Sequence, residues 1–282
     1  MRKSVKQQLA LRVLSTAALM AMVSSIATAA FAAEYNVKDG SVEIVAKDGI
    51  QSITQRDDTG AFVKDEKGDI DHRQDDDIIL TTKNKDTGET ETTSNTVTIT
   101  AEEKGDTANV TLQDVHIETE GSWNNTGSAP IEIKGNGDTN LELNGDNTVL
   151  SGDSYHAAIE KADKNGTGTL TIKDDKNDDR SDKDKDENGN AVGRDTGKLL
   201  AGGNYAGAGI GGGSSSNDLA DTSNITIKGG EVTARSGYDY SAGIGGGSNG
   251  TAKNIRIEGN AHVTASGRGG AAIGGGCLGG ND

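Results

Sequence analysis

Apolar and polar residues alternate in short stretches along most of the chain, which is the pattern of β-strands and not of helices. Two clear stretches begin at Asn224 and Asn254. The same alternation recurs towards the N-terminus in steps of about 30 residues, except for one step of 55. The apolar pairs that define it are Val110/Leu112, Leu141/Leu143, Leu170/Ile172, Ile225/Ile227 and Ile255/Ile257.

A glycine phrase recurs in the same repeat. Alanine-glycine-isoleucine and three glycines occupy 208–213 and 242–247, and a close variant occupies 271–276. Segments 128–133 and 156–160 take the same place in earlier repeats. A fixed period of this length is typical of units that bury their apolar faces against their neighbours. We therefore predict an all-β fold, a right-handed parallel β-helix with three strands per coil and about five recognisable coils.

Composition supports this prediction. The chain has 41 glycines and a single proline, so nearly every residue can donate a ladder hydrogen bond and tight corners are available. The alternative is a glycine-rich disordered segment, but disorder gives no reason for isoleucine and valine to keep a register.

Three regions follow from these patterns. Residues 1–32 have a basic start, an apolar stretch and an Ala-Phe-Ala site, as a signal peptide has, so the mature chain is expected to begin at Ala33. A retained membrane anchor is the alternative. Residues 33–100 are predicted to form an N-terminal cap and first coil with a polar hairpin at 57–71. Residues 101–282 are predicted to form the coils, with an acidic insertion at 174–195.

Charge narrows the choice of partners. The formal net charge is −16, and removing the four basic residues of the first 32 makes it −20. Nucleic acid and anionic lipid are therefore not expected as partners, because both require basic patches. Cys277 is the one cysteine, so an exported chain would have no intramolecular disulfide.

Several phrases suggest a family. The succession at 93–99, 108–117, 141–152 and 168–172, followed by the glycine phrases, resembles secreted bacterial carbohydrate-binding β-helix domains, which share the pectate-lyase-like fold. The resemblance implies a secreted or cell-surface protein that binds polysaccharide, often with calcium and without catalysis. It does not identify the sugar.

The acidic insertion contains a candidate calcium loop. Oxygen ligands recur at the spacing of such a loop, with Gly189 at the turn. Position 12 is aspartate where glutamate is usual, and the pattern predicts no flanking helices, so a solvated acidic insertion is the alternative. The candidate ligands are Asp184, Asp186, Asn188, Asn190 and Asp195.

The few aromatic residues after residue 100 have a shared position. Each precedes the isoleucine of the third strand of its coil by four to eight residues, so they are expected to form a column along one corner of the helix. Sugar rings stack on aromatic faces, so the column could bind a polysaccharide. The alternative is a stack that only shields the corner. These residues are Trp123, Tyr155, Tyr205, Tyr238 and Tyr240.

No enzyme activity is expected. Arg256 and Glu258 share a strand face, but Thr226 and Lys228 take their places one coil earlier, so no acidic cluster is predicted. A structural adhesin without a sugar ligand and a polysaccharide lyase are the two alternatives to a binding protein.

The last coil has no capping segment in this sequence, so continuation of the coils or self-association there is expected. Four histidines are interpreted as isolated surface residues: His72, His116, His156 and His262.

Overall fold

The structure is a computed structural model of the chain. It describes residues 33–121, 123, 127–163, 166–174, 196–214, 219–238 and 240–277. The predicted signal peptide at 1–32 and the five predicted calcium ligands lie outside the described residues. No helix in the described ranges is long and apolar enough to cross a membrane.

In the described residues, three large sheets form the solenoid and a fourth contains only one hairpin. The first sheet is parallel throughout and contains β1 (Glu34–Asn36), β7 (Ile78–Thr81), β9 (Thr107–Gln113), β12 (Asp138–Asn144), β15 (Leu170–Lys173), β18 (Thr222–Ile227) and β21 (Ala252–Ile257). The second sheet is also parallel and contains β10 (His116–Glu118), β13 (Asp146–Leu150), β16 (Lys198–Gly202), β19 (Glu231–Arg235) and β22 (His262–Ser266). The third sheet has a parallel part with β2 (Ser41–Lys47), β8 (Val97–Ala101), β11 (Ile131–Gly135), β14 (Ile159–Glu160), β17 (Ile210–Gly211), β20 (Ile244–Gly245) and β23 (Ile273–Gly274).

The chain visits the three sheets in a fixed order, and each visit stacks on the previous one. The described residues form five complete coils: coil 1 is β9 to β11, coil 2 is β12 to β14, coil 3 is β15 to β17, coil 4 is β18 to β20 and coil 5 is β21 to β23. The predicted all-β parallel β-helix of about five coils is confirmed.

The N-terminal end departs from this repeat. β2 pairs antiparallel with β3 (Ile50–Arg56), which pairs antiparallel with β6 (Arg73–Gln74) at the outer edge of the third sheet. Between β3 and β6 in the chain, β4 (Lys64–Asp65) and β5 (Gly68–Asp69) form a hairpin in the segment predicted to be a polar hairpin. A short 3-10 helix, Val37–Asp39, joins β1 to β2. These antiparallel strands cover one edge of the third sheet, which would otherwise be open to pairing.

Apolar side chains at equivalent positions of successive coils form columns that fill the core. Ile131, Ile159, Ile210, Ile244 and Ile273 pair in register through the third sheet, as the sequence predicts. The first four are fully buried. Each apolar side chain therefore packs on its equivalents one coil above and below, which is how a repeat protein builds a continuous core.

The predicted alignment of one pair of coils in the first sheet is wrong by two residues. It placed Leu141 beside Leu170, whereas Leu141 pairs with Ile172, and Thr139 pairs with Leu170. A shift of two residues leaves every side chain on the same face of a strand, so alternation alone cannot detect it.

Glycines of the repeated phrase let the coils approach. Gly211, Gly245 and Gly274 pair in register and have φ of 130°, 135° and 137°. A Cβ at Gly245 would lie 1.9 Å from the carbonyl oxygen of Gly274. The phrase is thus required by backbone packing, which explains its recurrence.

Coil 5 is the most exposed part of the stack. Ile257 and Ile273 belong to the buried columns, yet they are 43% and 42% exposed. Within the described ranges, β21, β22 and β23 each pair with a neighbour on one side only.

Candidate functional site

The aromatic residues lie at the corner between the second and third sheets. In coil 3, β16 ends at Gly202 and the chain turns through Tyr205 before β17 begins. Two hydrogen bonds to coil 2 hold this turn: Asn204 Nδ2 donates to the Gly152 carbonyl at 2.6 Å, and the Ala206 amide donates to the Ser154 carbonyl at 2.8 Å. Because these bonds flank Tyr205, its backbone is fixed relative to the stack.

Three of the five aromatic rings contact one another. The ring centroids of Trp123 and Tyr205 are 5.9 Å apart at an interplanar angle of 57°, and those of Tyr205 and Tyr240 are 6.2 Å apart at 69°. Both geometries are tilted or edge-to-face, which aromatic pairs prefer. We call Trp123, Tyr205 and Tyr240 the aromatic cluster.

The cluster is tighter than an evenly spaced column. Trp123 belongs to coil 1 and Tyr205 to coil 3, so equivalent positions would be about 10 Å apart at the strand spacing of a sheet. Their centroids are 5.9 Å apart, and Trp123 lies on the connection between β10 and β11, which is longer than the equivalent connection of coil 3.

The cluster is open to solvent. Trp123 is 70% exposed, Tyr205 38% and Tyr240 42%. Four of the seven exposed large hydrophobic side chains of the described residues, these three and Tyr238, lie at this corner. A contiguous patch of exposed apolar groups often marks an interaction surface, whereas single scattered ones do not.

Tyr240 has a strained backbone. Its φ is 94°, a region that residues with a side chain rarely adopt. Its amide donates to the Arg268 carbonyl at 2.9 Å, and its carbonyl accepts from the Cys277 amide at 2.7 Å. Arg268 belongs to coil 5 and Cys277 follows its last strand, so these residues hold Tyr240 in a conformation that costs about 1–3 kcal/mol. Such strain is concentrated at functional sites.

The other two predicted aromatic residues are placed differently. Tyr155 is half-buried, and its carbonyl accepts from the Ser214 amide at 2.7 Å. Tyr238 is exposed, and the guanidinium of Arg268 lies 5.4 Å from its ring centroid. This is a cation–π contact. In the described part of the chain, neither ring joins the aromatic cluster.

A buried ionic group lies in coil 2, in the turn that carries Tyr155. His156 Nδ1 is 3.1 and 3.0 Å from the two carboxylate oxygens of Glu160, and Glu160 Oε2 also accepts from the Ala157 amide at 3.1 Å. The side chain of His156 is 13% exposed and that of Glu160 is 1% exposed. The interpretation of His156 as an isolated surface residue is therefore wrong.

Electrostatics at His156 favour its charged form. Burial lowers the pKa of His156, but the hydrogen bond to Glu160 and the charges of Glu160, Asp153 and Glu132 outweigh it, so the pKa is raised above its ordinary value. Asp153 is fully buried, and its Oδ2 has no hydrogen-bond partner among the described residues. The spacing His156-x-x-x-Glu160 is visible in the sequence, but a turn gives no periodicity from which their contact could be predicted.

The described residues do not include a candidate metal site. They contain no group of three or more His, Cys, Asp or Glu side chains placed to hold an ion. The predicted calcium loop at 184–195 lies outside them, so calcium stays a prediction from the sequence.

Comparison with known proteins agrees with the repeat. A family model described as beta helix repeat matches residues 225–248 and 255–277, which fall in coils 4 and 5. No curated protein and no solved structure matches the chain significantly. The matched repeats and the three-sheet solenoid together identify the chain as a β-helix protein.

Proposed function

We propose that this chain is an exported, non-catalytic protein that binds polysaccharide at the aromatic cluster. The observation that carries the proposal is the exposed contact row of Trp123, Tyr205 and Tyr240, with Tyr240 held in a strained conformation. Glycine would adopt the same φ without cost, so the tyrosine side chain at this position costs stability. We take that cost as support for a role of the side chain in binding.

The chemistry of the cluster suits sugar rings. The CH groups of a pyranose face pack on aromatic carbon, while tyrosine hydroxyls and the indole N–H supply polar contacts at the ring edges. The two centroid distances place the ends of the row no more than about 12 Å apart, so it offers contacts to a short stretch of a polymer. Several weak contacts along one polymer accumulate into useful affinity.

Export from the cell is also part of the proposal. The predicted signal peptide and the acidic mature chain suit a protein that functions outside the cell. Calcium at 184–195 would assist the fold or the ligand site, as the resemblance to secreted β-helix domains implies. No step of the proposed binding depends on it.

Affinity electrophoresis tests the proposal. The chain is run in gels containing galactomannan, xyloglucan, dextran, polygalacturonate or alginate, and at least one polymer should retard it. Tyr205→Ala should weaken binding about fivefold, since an aromatic contact contributes about 1 kcal/mol. Tyr205→Ala with Tyr240→Ala should nearly abolish it.

Phe62→Ala is the control, because Phe62 packs under Arg56 at the N-terminal end, away from the corner. Circular dichroism and thermal unfolding report on the fold of each variant. Intact binding with lower thermal stability in the Tyr205/Tyr240 double variant would show that the cluster only shields the corner.

A structural adhesin without a sugar ligand is the second candidate, because an exposed aromatic corner on a stacked repeat can also bind a protein partner. Retardation in none of the gels, together with concentration-dependent association in sedimentation velocity, would favour this function.

A further inference from the structure

The outer face of the second sheet carries a trough beside the aromatic cluster. Side chains on alternate positions of β13, β16, β19 and β22 point outward, because Val149, Leu199, Ala201 and their equivalents fill the core. Register places the outward side chains in three rows that run along the solenoid from coil 2 to coil 5. Two adjoining recesses of about 260 and 510 Å³ open on this face, and Glu231 lines both.

Each row has its own chemistry. The first row, called the charged row after its first three members, is Asp146, Lys198, Glu231 and His262; the floor row is Thr148, Leu200, Thr233 and Thr264; the corner row is Leu150, Gly202, Arg235 and Ser266. The charged row is exposed, whereas the floor row is half-buried in coils 2 to 4. At 3.3 Å per residue the outer rows are about 13 Å apart, and the four coils extend about 14 Å.

The corner row closes the side of the trough next to the aromatic cluster. A Cβ at Gly202 would lie 2.8 Å from Leu150 Cδ2 and 3.5 Å from Arg235 Nε. These two side chains therefore fold over the glycine and form a low wall. Tyr205 of the aromatic cluster lies three residues beyond this glycine, in the turn that follows β16.

Charge along the trough alternates instead of accumulating. Lys198 Nζ lies 3.3 Å from Asp146 Oδ1, and Lys198 pairs in register with Glu231 on its other side. Neighbouring opposite charges cancel beyond about one Debye length, so the row does not attract a polyion. It does offer donors and acceptors in turn, which suit hydroxyl groups because each hydroxyl both donates and accepts.

The floor supplies the complementary apolar contact. Leu200, Thr148 and Thr233 line it, all three are half-buried, and each threonine side chain carries a methyl group. A ligand that fits must therefore be extended along the solenoid axis, uncharged, rich in hydroxyls and apolar on one face. Neutral polysaccharides have these properties, whereas a polyanion would meet Asp146 and Glu231 and the net negative charge of the chain.

We infer that this trough is a second part of the ligand site and that the bound polymer is a neutral polysaccharide lying along the second sheet. The inference rests on the proposed function and adds the charge class of the ligand and the surface that selects it. Charged walls position the hydroxyls, Leu200 and the threonine methyls contact the CH face, and the aromatic cluster holds the adjoining sugars.

The test uses the same gels with variants of the trough. Thr233→Arg places a long charged side chain on the floor without entering the core and should weaken retardation by a neutral polymer at least tenfold. Thr98→Arg is the matched control, since Thr98 is also half-buried and points outward, but from the third sheet. Mobility in a polymer-free gel corrects for the added charge.

The outcomes separate the inference from the proposed function. Retardation by galactomannan, xyloglucan or dextran, unaffected by salt and lost in Thr233→Arg but not in Thr98→Arg, supports the inference. Retardation only by polygalacturonate or alginate overturns it, and so does unchanged neutral binding in Thr233→Arg. In both of those cases loss of binding in the Tyr205/Tyr240 double variant would leave the proposed function standing. Retardation in none of the gels overturns both.

Discussion

Replacement of Gly245 by alanine tests the role that the structure assigns to the glycine phrase. Two effects add at this position. A side chain at φ 135° is in a region open almost only to glycine and costs about 1–3 kcal/mol. The new Cβ would also lie 1.9 Å from the Gly274 carbonyl oxygen, which is backbone of the next coil and cannot rotate away.

Relief of that overlap requires coils 4 and 5 to separate locally. The Gly246 amide donates to the same Gly274 carbonyl at 2.9 Å, so separation weakens a ladder hydrogen bond. Overpacking of this kind costs about 1–3 kcal/mol. Together the two effects predict a loss of about 2–6 kcal/mol in the free energy of unfolding, a large fraction of the stability of an ordinary domain.

Gly49 provides a matched control. Its φ is also positive, at 76°, but no atom lies within 4 Å of a Cβ built there. Gly49→Ala should therefore cost about 1 kcal/mol, since only the backbone conformation is penalised. Urea unfolding followed by far-ultraviolet circular dichroism measures both variants. Equal losses in the two variants would refute the reasoning, because the close approach of the coils would then carry no cost.

Three further predictions follow from the site. Tyr240→Gly relieves a strained φ that Tyr240→Ala keeps, so thermal unfolding should show the glycine variant to be more stable by about 1–2 kcal/mol while both bind polysaccharide less well; equal stabilities would contradict the strain. His156 has a raised pKa in the folded state, so its stabilisation is present below its ordinary pKa and is lost as pH rises through the folded value. His156→Gln should accordingly flatten the fall in stability as pH rises above the ordinary histidine pKa of about 6.5, and a profile as steep as that of the parent chain would argue against this ion pair. Calorimetry should detect a calcium site that Asp184→Ala and Asp186→Ala abolish, whereas unchanged binding in both would exclude that loop.

Local alternation and a fixed period predicted the main features of the fold from sequence alone. Ile131, Ile159, Ile210 and Ile244 mark one strand of each coil, and the structure pairs them as predicted. This works because in a stacked repeat the neighbours of a residue are its own equivalents, so the sequence pattern states the tertiary contacts directly.

The tertiary structure decided what the period leaves open. A shift of two residues keeps the same faces of the strand buried. The pairing of Leu141 with Ile172 could therefore be determined only from the paired strands of the structure. Trp123 reaches Tyr205 across a whole coil because its connection is long, and His156 meets Glu160 inside a turn. These connections differ in length from coil to coil, and their side chains are placed by packing between coils. The candidate site lies in these segments, so the sequence predicted its residue types and corner, and the three-dimensional packing determined which of them come together.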